Sequence, residues 1–315
     1  MYDVIIVGAG SAGLAASIYA SRRALKTLII SEDIGGQAIT ANHVENYPGF
    51  DLVTGAELMM KFKSQAQKFG AEFVTDEVMK IEKTGDKFVV NTNAKKFETN
   101  SVILSFGLSH RHLDVPGEEK LIGRGIAYCA TCDAPLYKGK TTAVIGGGSS
   151  ALDAALLLSK LCPKVYLIHR RDVFTGEAVL IDQVKQAKNI ELVLNSEILE
   201  FIGENKLEKI TVKDTSGEKR EIEADGAFIE VGFIAKTDWL GDLVKLDEKK
   251  QVIINDKCET SIPGILAAGD ITTIVYKQVV ISAGEGAKAA LSAYKYLQNK
   301  GLTRGASVDW GQIKK

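Results

Sequence analysis

Cys129 and Cys132 are separated by two residues and followed at once by Asp133. That spacing holds two sulfurs close enough to form and break one disulfide reversibly, and a carboxyl beside the second can take or give a proton. Zinc is the main rival. A closed zinc site needs four ligands, usually as two such pairs, and Cys162, Cys258 and the four histidines show no second paired spacing. Two inert thiols are the plainer alternative, and for Cys162 and Cys258, which have no such company, a small buried core residue is the better reading. No metal is expected.

Two glycine motifs favour redox chemistry for the pair. Gly8-x-Gly10-x-x-Gly13 follows a β-branched run and opens an apolar-periodic stretch, an arrangement that lets a pyrophosphate reach helix N-terminal N–H groups. The acidic residue that would grip a ribose hydroxyl is Glu32, placed slightly late after the second strand. Gly146-x-Gly148-x-x-Ala151 repeats the pattern, but the strand after it ends in His169-Arg170-Arg171. Basic groups there suit a 2′-phosphate and favour NADP over NAD; a solvated basic strand end is the alternative.

Strand, turn, helix and strand are expected over Val4–Val7, the glycines, Leu14–Tyr19 and Leu28–Ile30. The same order returns at Thr142–Ile145, Gly146–Gly148, Leu152–Leu158 and Val165–Ile168, so the chain contains two dinucleotide-type βαβ units. Between them Phe73–Val90 and Lys96–Leu104 read as antiparallel strands, and Ile198–Ile222 as a second hairpin region. Val252–Ile254 and Ile265–Ala268 read as strands, and Val279–Leu297 as a final helix. The class is α/β: two Rossmann-like dinucleotide-binding domains, each with an antiparallel β insertion.

The 315 residues suffice for about two domains, and 45% hydrophobic with 25% charged excludes a disordered chain. Thirty-nine basic against 40 acidic residues leave a net charge of -1, which gives no broad field for nucleic acid or an acidic membrane. The uncharged run Val4–Ser21 is broken by three glycines and has no Lys or Arg before it, so neither a membrane span nor a signal peptide is expected. A cytoplasmic chain is the expectation.

Together these motifs resemble the low-molecular-weight thioredoxin reductases, FAD-dependent pyridine nucleotide-disulfide oxidoreductases. The resemblance covers nearly all of the chain. It adds Gly35-Gly36-Gln37, Glu45-Asn46-Tyr47-Pro48-Gly49 and Thr260-Ser-Ile-Pro263-Gly264-Ile-Leu-Ala-Ala-Gly269-Asp270 to the motifs above. It implies a discontinuous FAD domain over 1–113 and 237–315, an inserted NADPH domain over 114–236 carrying the cysteine pair, and rotation between them. The FAD contacts it implies are Gly8, Gly10, Ser11, Ala12, Gly13, Glu32, Gly35, Gly36, Gln37, Ala38, Ile39, Asn46, Val78, Gly107, Gly269, Asp270, Lys277, Gln278 and Val279. Those for NADPH are Gly146, Gly148, Ser149, Ser150, Ala151, His169, Arg170 and Arg171.

The implied reaction passes electrons from NADPH through FAD to the Cys129–Cys132 disulfide and on to oxidised thioredoxin or a similar small dithiol protein. Cys132 would face the flavin, Cys129 would attack the partner, Asp133 would handle the proton, and the enzyme would be a homodimer. Three departures stand out. Thr175 replaces a further basic residue that commonly completes the 2′-phosphate contacts, Ser105-Phe106-Gly107 replaces Ala-Thr-Gly, and Ala134-Pro135 follows Cys-Asp where glycine is usual. Alternatives keep the chemistry but change the donor to NADH, reduced flavin or ferredoxin, or the carrier to a glutaredoxin-like or peroxiredoxin-system protein. A non-catalytic redox sensor is a remote alternative.

Overall fold

The computed structural model describes residues 1–41 and 44–303, without the side chains of Thr40, Thr131 and Cys132. Two compact units share the chain: Met1–Ser109 together with the chain from Ile234 onward, and His110–Phe233.

The first unit opens with β1 (Tyr2–Val7), α1 (Ser11–Arg22), β2 (Thr27–Ser31), α2 (Gly55–Lys68) and β3 (Glu72–Thr75), followed by β4 (Val78–Thr84), β5 (Lys87–Thr92) and β6 (Lys96–Leu104). The chain leaves this unit at β7 (Ser109–His110). The second unit runs through α3 (Glu118–Leu121), β8 (Ile126–Ala127), α4 (Ala130–Asp133), β9 (Thr141–Ile145), α5 (Ser149–Ser159), β10 (Lys164–Ile168), α6 (Ala178–Gln186) and β11 (Ile190–Val193). An antiparallel set β12 (Ser196–Ile202), β13 (Lys209–Asp214) and β14 (Lys219–Glu223) precedes β15 (Gly226–Ile229) and the return at β16 (Phe233–Ile234). The first unit then closes with β17 (Ile265–Ala267) and α7 (Val279–Asn299).

In the first unit β3-β2-β1-β6 is a parallel sheet. The first half of β6 pairs antiparallel with β5 and its second half pairs parallel with β17. β1 has apolar residues on both faces because both are covered, as expected of a parallel strand. Val4 and Ile6 face a core made with α1, α2 and α7, while Ile5 and Val7 face one shared with β4, β5 and the 240–271 segment. α1 and α7 approach closely: a Cβ on Gly286 would overlap the carbonyl of Ala12.

The second unit repeats the plan as a parallel sheet β11-β10-β9-β15-β8 beside the antiparallel β12-β13-β14. Val144 packs with α5 and α6, whereas Ala143 and Ile145 pack toward the antiparallel strands. The α/β class with an antiparallel insertion in each unit is therefore what the chain adopts.

Two details differ from the sequence reading. Phe73 pairs in parallel with Ile29 instead of starting an antiparallel hairpin. The cause is α2, which the apolar pattern did not reveal: a helical crossover returns the chain parallel. Its start carries a local signature, for Thr54 Oγ1 accepts the Glu57 N–H at 3.1 Å. The Val252–Ile254 stretch forms no named strand, only bridges at Val252 to Leu246 and Thr272. The chain passes from the first unit to the second at 109–110 and back at 233–234.

Candidate functional site

In the first unit the turn between β1 and α1 is closed by glycines that nothing else could replace. Gly8 has φ +100°, and a Cβ on it would lie 2.6 Å from the backbone of Phe106 and Ser105. A Cβ on Gly13 would overlap the carbonyl of Gly8 and reach within 2.7 Å of Ser105 Oγ. Ser105 is thus a working part of the turn: its hydroxyl donates to the carbonyls of Val7 and Gly8 at 2.9 and 3.1 Å. Gly10 is different. It caps α1, and the nearest atom to a Cβ there is the Gly35 carbonyl at 4.0 Å, so the space in front of the helix is open.

α1 has neither a side-chain cap nor an acidic residue in its first turn, so its N–H groups and positive dipole end are available to an anion. Ser11, Ala12 and Gly13 in that turn are buried, which leaves backbone N–H groups as the contacts it can offer. Gly35 and Gly36, both at positive φ, lead into a short 3-10 turn, Gly36–Thr40, that includes Gln37, Ala38 and Ile39. The Gly35 N–H donates to the Ala9 carbonyl at 2.8 Å, which ties this turn to the glycine loop. Glu32 is exposed just past the end of β2, and Ser31, absent from the sequence reading, accepts the Ala9 N–H at 3.1 Å.

Asn46, Gly269, Asp270, Lys277, Gln278 and Val279 gather around the start of α7. Gln278 caps that helix, Val279 begins it, and Asn46 Nδ2 donates to Gln278 Oε1 at 3.1 Å. No acidic residue lies in its first turn. Asp270 follows Gly269, whose φ is +78°. Burial pushes the Asp270 carboxyl above the usual carboxylate range, against the Ser282 hydroxyl, which donates to it at 2.9 Å. Lys277 Nζ donates to the carbonyls of Asp270 and Thr272 at 2.9 and 2.8 Å and so fastens the loop before α7. A Cβ on Gly107, whose φ is +67°, would meet nothing within 4 Å. Val78 has its side chain in the core at the start of β4.

The second unit builds the same device with different closing contacts. A Cβ on Gly146 would overlap the Glu230 carbonyl, and one on Gly147 would overlap the His169 ring. A Cβ on Gly148 would meet nothing within 4 Å, and like Gly10 this glycine caps a helix, α5, that lacks a side-chain cap and first-turn acid. Ser149 and Ser150 open α5, and Ala151 is buried beneath them. Arg170 and Arg171 are exposed at the end of β10.

His169 is not beside them in solvent. Its ring is buried over Gly147, stacks on Phe174 at 5.5 Å between centroids, and places Nε2 3.1 Å from the Val173 carbonyl. Burial lowers its pKa, so it shapes the loop as a neutral ring. The loop also closes through Thr175, whose N–H and hydroxyl both donate to the Gly147 carbonyl, at 2.7 and 3.2 Å.

Cys129 precedes α4 in this unit and is disulfide-bonded. The side chain of Cys132 lies outside the described residues. Tyr128 is held by Glu118, a buried carboxylate that accepts the tyrosine hydroxyl at 2.6 Å and the N–H groups of Leu113 and Asp114. Asp133 is half-buried one turn after Cys129, and burial raises its pKa, which suits a group that holds a proton. Glu230, missed by the sequence reading, accepts the Ala130 N–H at 3.4 Å. Its signal was its isolation as the sole charged residue between Asp225 and Lys236.

The remaining cysteines are unlike Cys129. Cys162 and Cys258 are free and at most 4% exposed, and burial raises both thiol pKa values, with Glu285 adding to the effect at Cys258. Neither thiol should react with iodoacetamide at pH 8 in the native protein, while both should in denaturant; peptide mass spectrometry before and after unfolding checks this. Among the described residues no group of three or more His, Cys, Asp or Glu could hold a metal ion, and no helix is long and apolar enough to cross a membrane.

Comparison with known proteins agrees with this geometry. Residues 2–287 match the family model for pyridine nucleotide-disulphide oxidoreductase. The chain is 40% identical to a thioredoxin reductase of Treponema pallidum, over 94% of this chain and 97% of that protein. It is 37% identical to one of Bacillus subtilis, over 95% of each. The crystal structure of Lactococcus lactis thioredoxin reductase superposes with a TM-score of 0.78 at 35% identity, over 95% of this chain and all of that one. With two glycine-closed βαβ units and a disulfide before α4, the chain belongs to the pyridine nucleotide-disulphide oxidoreductase family, among the thioredoxin reductases.

Proposed function

We propose that this protein is an NADPH-dependent thioredoxin-disulfide reductase. The observation that carries the reading is the disulfide at Cys129, in the same unit as a glycine-capped helix and a basic strand end. We infer that its partner sulfur is that of Cys132, and that the first unit is the FAD domain and the second the NADPH domain. FAD and NADPH, the family's cofactors, supply two-electron acceptance and hydride donation when bound.

The chain's own residues bind, orient and handle protons. The open N-terminus of α1 and the Gly35–Ile39 turn would hold the FAD pyrophosphate and its neighbours, with Asp270 near the ribityl hydroxyls and the start of α7 near the ring. The open N-terminus of α5 would take the NADPH pyrophosphate, and Arg170 and Arg171 its 2′-phosphate. Reduction of the disulfide adds two electrons and two protons. Cys129 then attacks the partner's disulfide, and Asp133, whose pKa burial raises, holds the proton near the pair. The reading extends to a cytoplasmic homodimer, supported by the resemblance. It is tested by following NADPH oxidation with oxidised thioredoxin as the acceptor: turnover at micromolar thioredoxin is expected, and its absence with thioredoxin but presence with another small dithiol protein would move the carrier.

Donor choice has its own structural support. Thr175 stands where relatives commonly have a basic residue and commits both its N–H and its hydroxyl to Gly147, which leaves the 2′-phosphate to Arg170 and Arg171. Discrimination between NADPH and NADH should be modest. Thr175→Arg is expected to lower KM for NADPH by about three- to tenfold, the discounted worth of one exposed charge-assisted hydrogen bond, and to leave KM for NADH unchanged. Steady-state kinetics with the two donors check it; equal changes for both would remove Thr175 from phosphate recognition.

A further inference from the structure

Glu230 is a charged residue in an otherwise apolar stretch, Gly226-Ala-Phe-Ile before it and Val-Gly-Phe-Ile-Ala after it. Such an insertion is costly unless the carboxylate has a partner or a task. Its backbone already serves the nucleotide turn. The Glu230 N–H donates to the Ile145 carbonyl at 2.8 Å, and its own carbonyl sits where a Cβ on Gly146 would be. The side chain turns to the other functional element of the unit and accepts the N–H of Ala130, the residue after Cys129, at 3.4 Å. One residue therefore touches both the glycine turn at the end of β9 and the peptide that carries the redox sulfur.

We propose that Glu230 is a positioning residue for the Cys129 thiol: its carboxylate fixes the Cys129–Ala130 peptide and sets, by its charge, how readily that thiol ionises. This rests on the reading of Cys129 as the interchange thiol. Covalent geometry keeps the Cys129 sulfur within about 5 Å of the Ala130 nitrogen, so the carboxylate lies within about 8 Å of the sulfur. At that range a negative charge raises a thiol pKa by about half a unit to one unit.

Burial pushes the Glu230 carboxyl up to about 7, and only the Ala130 N–H opposes it. The other titratable groups of the surrounding elements are Asp133 and Tyr137 after Cys129, Asp225 before β15, and His169, Arg170 and Arg171 after β10; none is among the causes of the Glu230 shift. The sign follows. Below neutral pH the Glu230 carboxyl is uncharged and adds no field at the Cys129 sulfur of the reduced protein; above it the carboxylate makes the thiolate harder to form. Glu230 thus restrains the interchange thiol as pH rises through 7.

The test uses full-length, FAD-loaded protein reduced with dithiothreitol, desalted, and alkylated with iodoacetamide from pH 5.5 to 9.5, with modification at Cys129 read by peptide mass spectrometry. In the unmutated chain the rise of log rate with pH should flatten through neutrality. In Glu230→Gln, which keeps an acceptor but removes the charge, the flattening should vanish and the midpoint should fall by about half a unit to one unit. Glu230→Ala should show the same fall and also faster amide exchange at Ala130, which Glu230→Gln should not. Superimposable profiles for the three proteins, with flavin absorbance intact, would overturn the proposal. Because the reductant is dithiothreitol and no carrier is present, failure of the thioredoxin assignment would leave these profiles untouched, and the two can be told apart.

Discussion

Cys132→Ser should retain its flavin and yet lose disulfide reduction by at least about a thousandfold. The chemistry needs two sulfurs: one attacks the carrier, and the other must resolve the mixed disulfide and return the pair to its oxidised form. Serine offers an oxygen that forms no disulfide, so nothing replaces the missing step, and removing one member of a pair that acts as a unit costs about as much as removing both. Flavin binding is spared because the residues assigned to FAD lie in Met1–Ser109 and the chain from Ile234 onward, whereas the pair lies in His110–Phe233. Cys129→Ser should behave alike in turnover. Activity with thioredoxin and absorbance near 450 nm, measured on the same preparation, separate the two effects. Turnover within tenfold of the unmutated chain would mean that electrons reach the carrier without the pair.

Gly13→Ala and Gly10→Ala should fail in different ways, although they change the same loop by the same methyl group. At Gly13 the methyl meets fixed backbone, the Gly8 carbonyl, and the Ser105 hydroxyl at 2.7 Å. That carbonyl cannot retreat cheaply, because the Gly8 N–H is bound to the Ile30 carbonyl at 2.8 Å and Ser105 holds the turn from the other side. α1 must shift instead, which carries its first-turn N–H groups out of place. Overpacking of this kind costs about 1–3 kcal/mol or more, enough to lower the melting temperature of the first unit by about 5 °C. Flavin content should fall more than tenfold.

At Gly10 the methyl enters open space, 4.0 Å from the nearest atom. Stability should change by less than about 1 kcal/mol, yet flavin should be lost, since the methyl occupies ground through which a pyrophosphate must reach the helix. Thermal melts with and without added FAD, with flavin absorbance, distinguish the cases. A Gly10→Ala protein that stays yellow would show that the α1 turn is not the pyrophosphate cradle.

Much of this organisation was legible in the sequence because it rests on backbone requirements. Gly8, Gly13 and Gly146 stand where a Cβ would meet main-chain atoms, so the glycines themselves marked the turns. β1 and β9 were legible as apolar runs because both faces of a parallel strand are covered. The α2 crossover was hidden because only part of its surface is buried, with Leu58, Met59 and Ala66 inside and much of the rest in water. Missing it turned Phe73 into a supposed hairpin strand.

Side-chain roles that depend on distant partners were less readable. His169 carries the same letter whether it meets a phosphate or lies over Gly147, and only the fold places its ring in the loop. Glu230 and Ala130 are 100 positions apart, and nothing local links them. In the sequence Thr175 stands out as a missing basic residue, and its two bonds to Gly147 explain what the residue does instead.

The most direct measurement is anaerobic stopped-flow absorbance of the flavin-loaded protein, mixed first with NADPH and then with oxidised thioredoxin. Rapid bleaching near 450 nm is expected on the first mix and recovery on the second, with the recovery abolished in Cys132→Ser. A flavin that NADPH leaves oxidised, or that thioredoxin reoxidises equally fast without the cysteine pair, would contradict it.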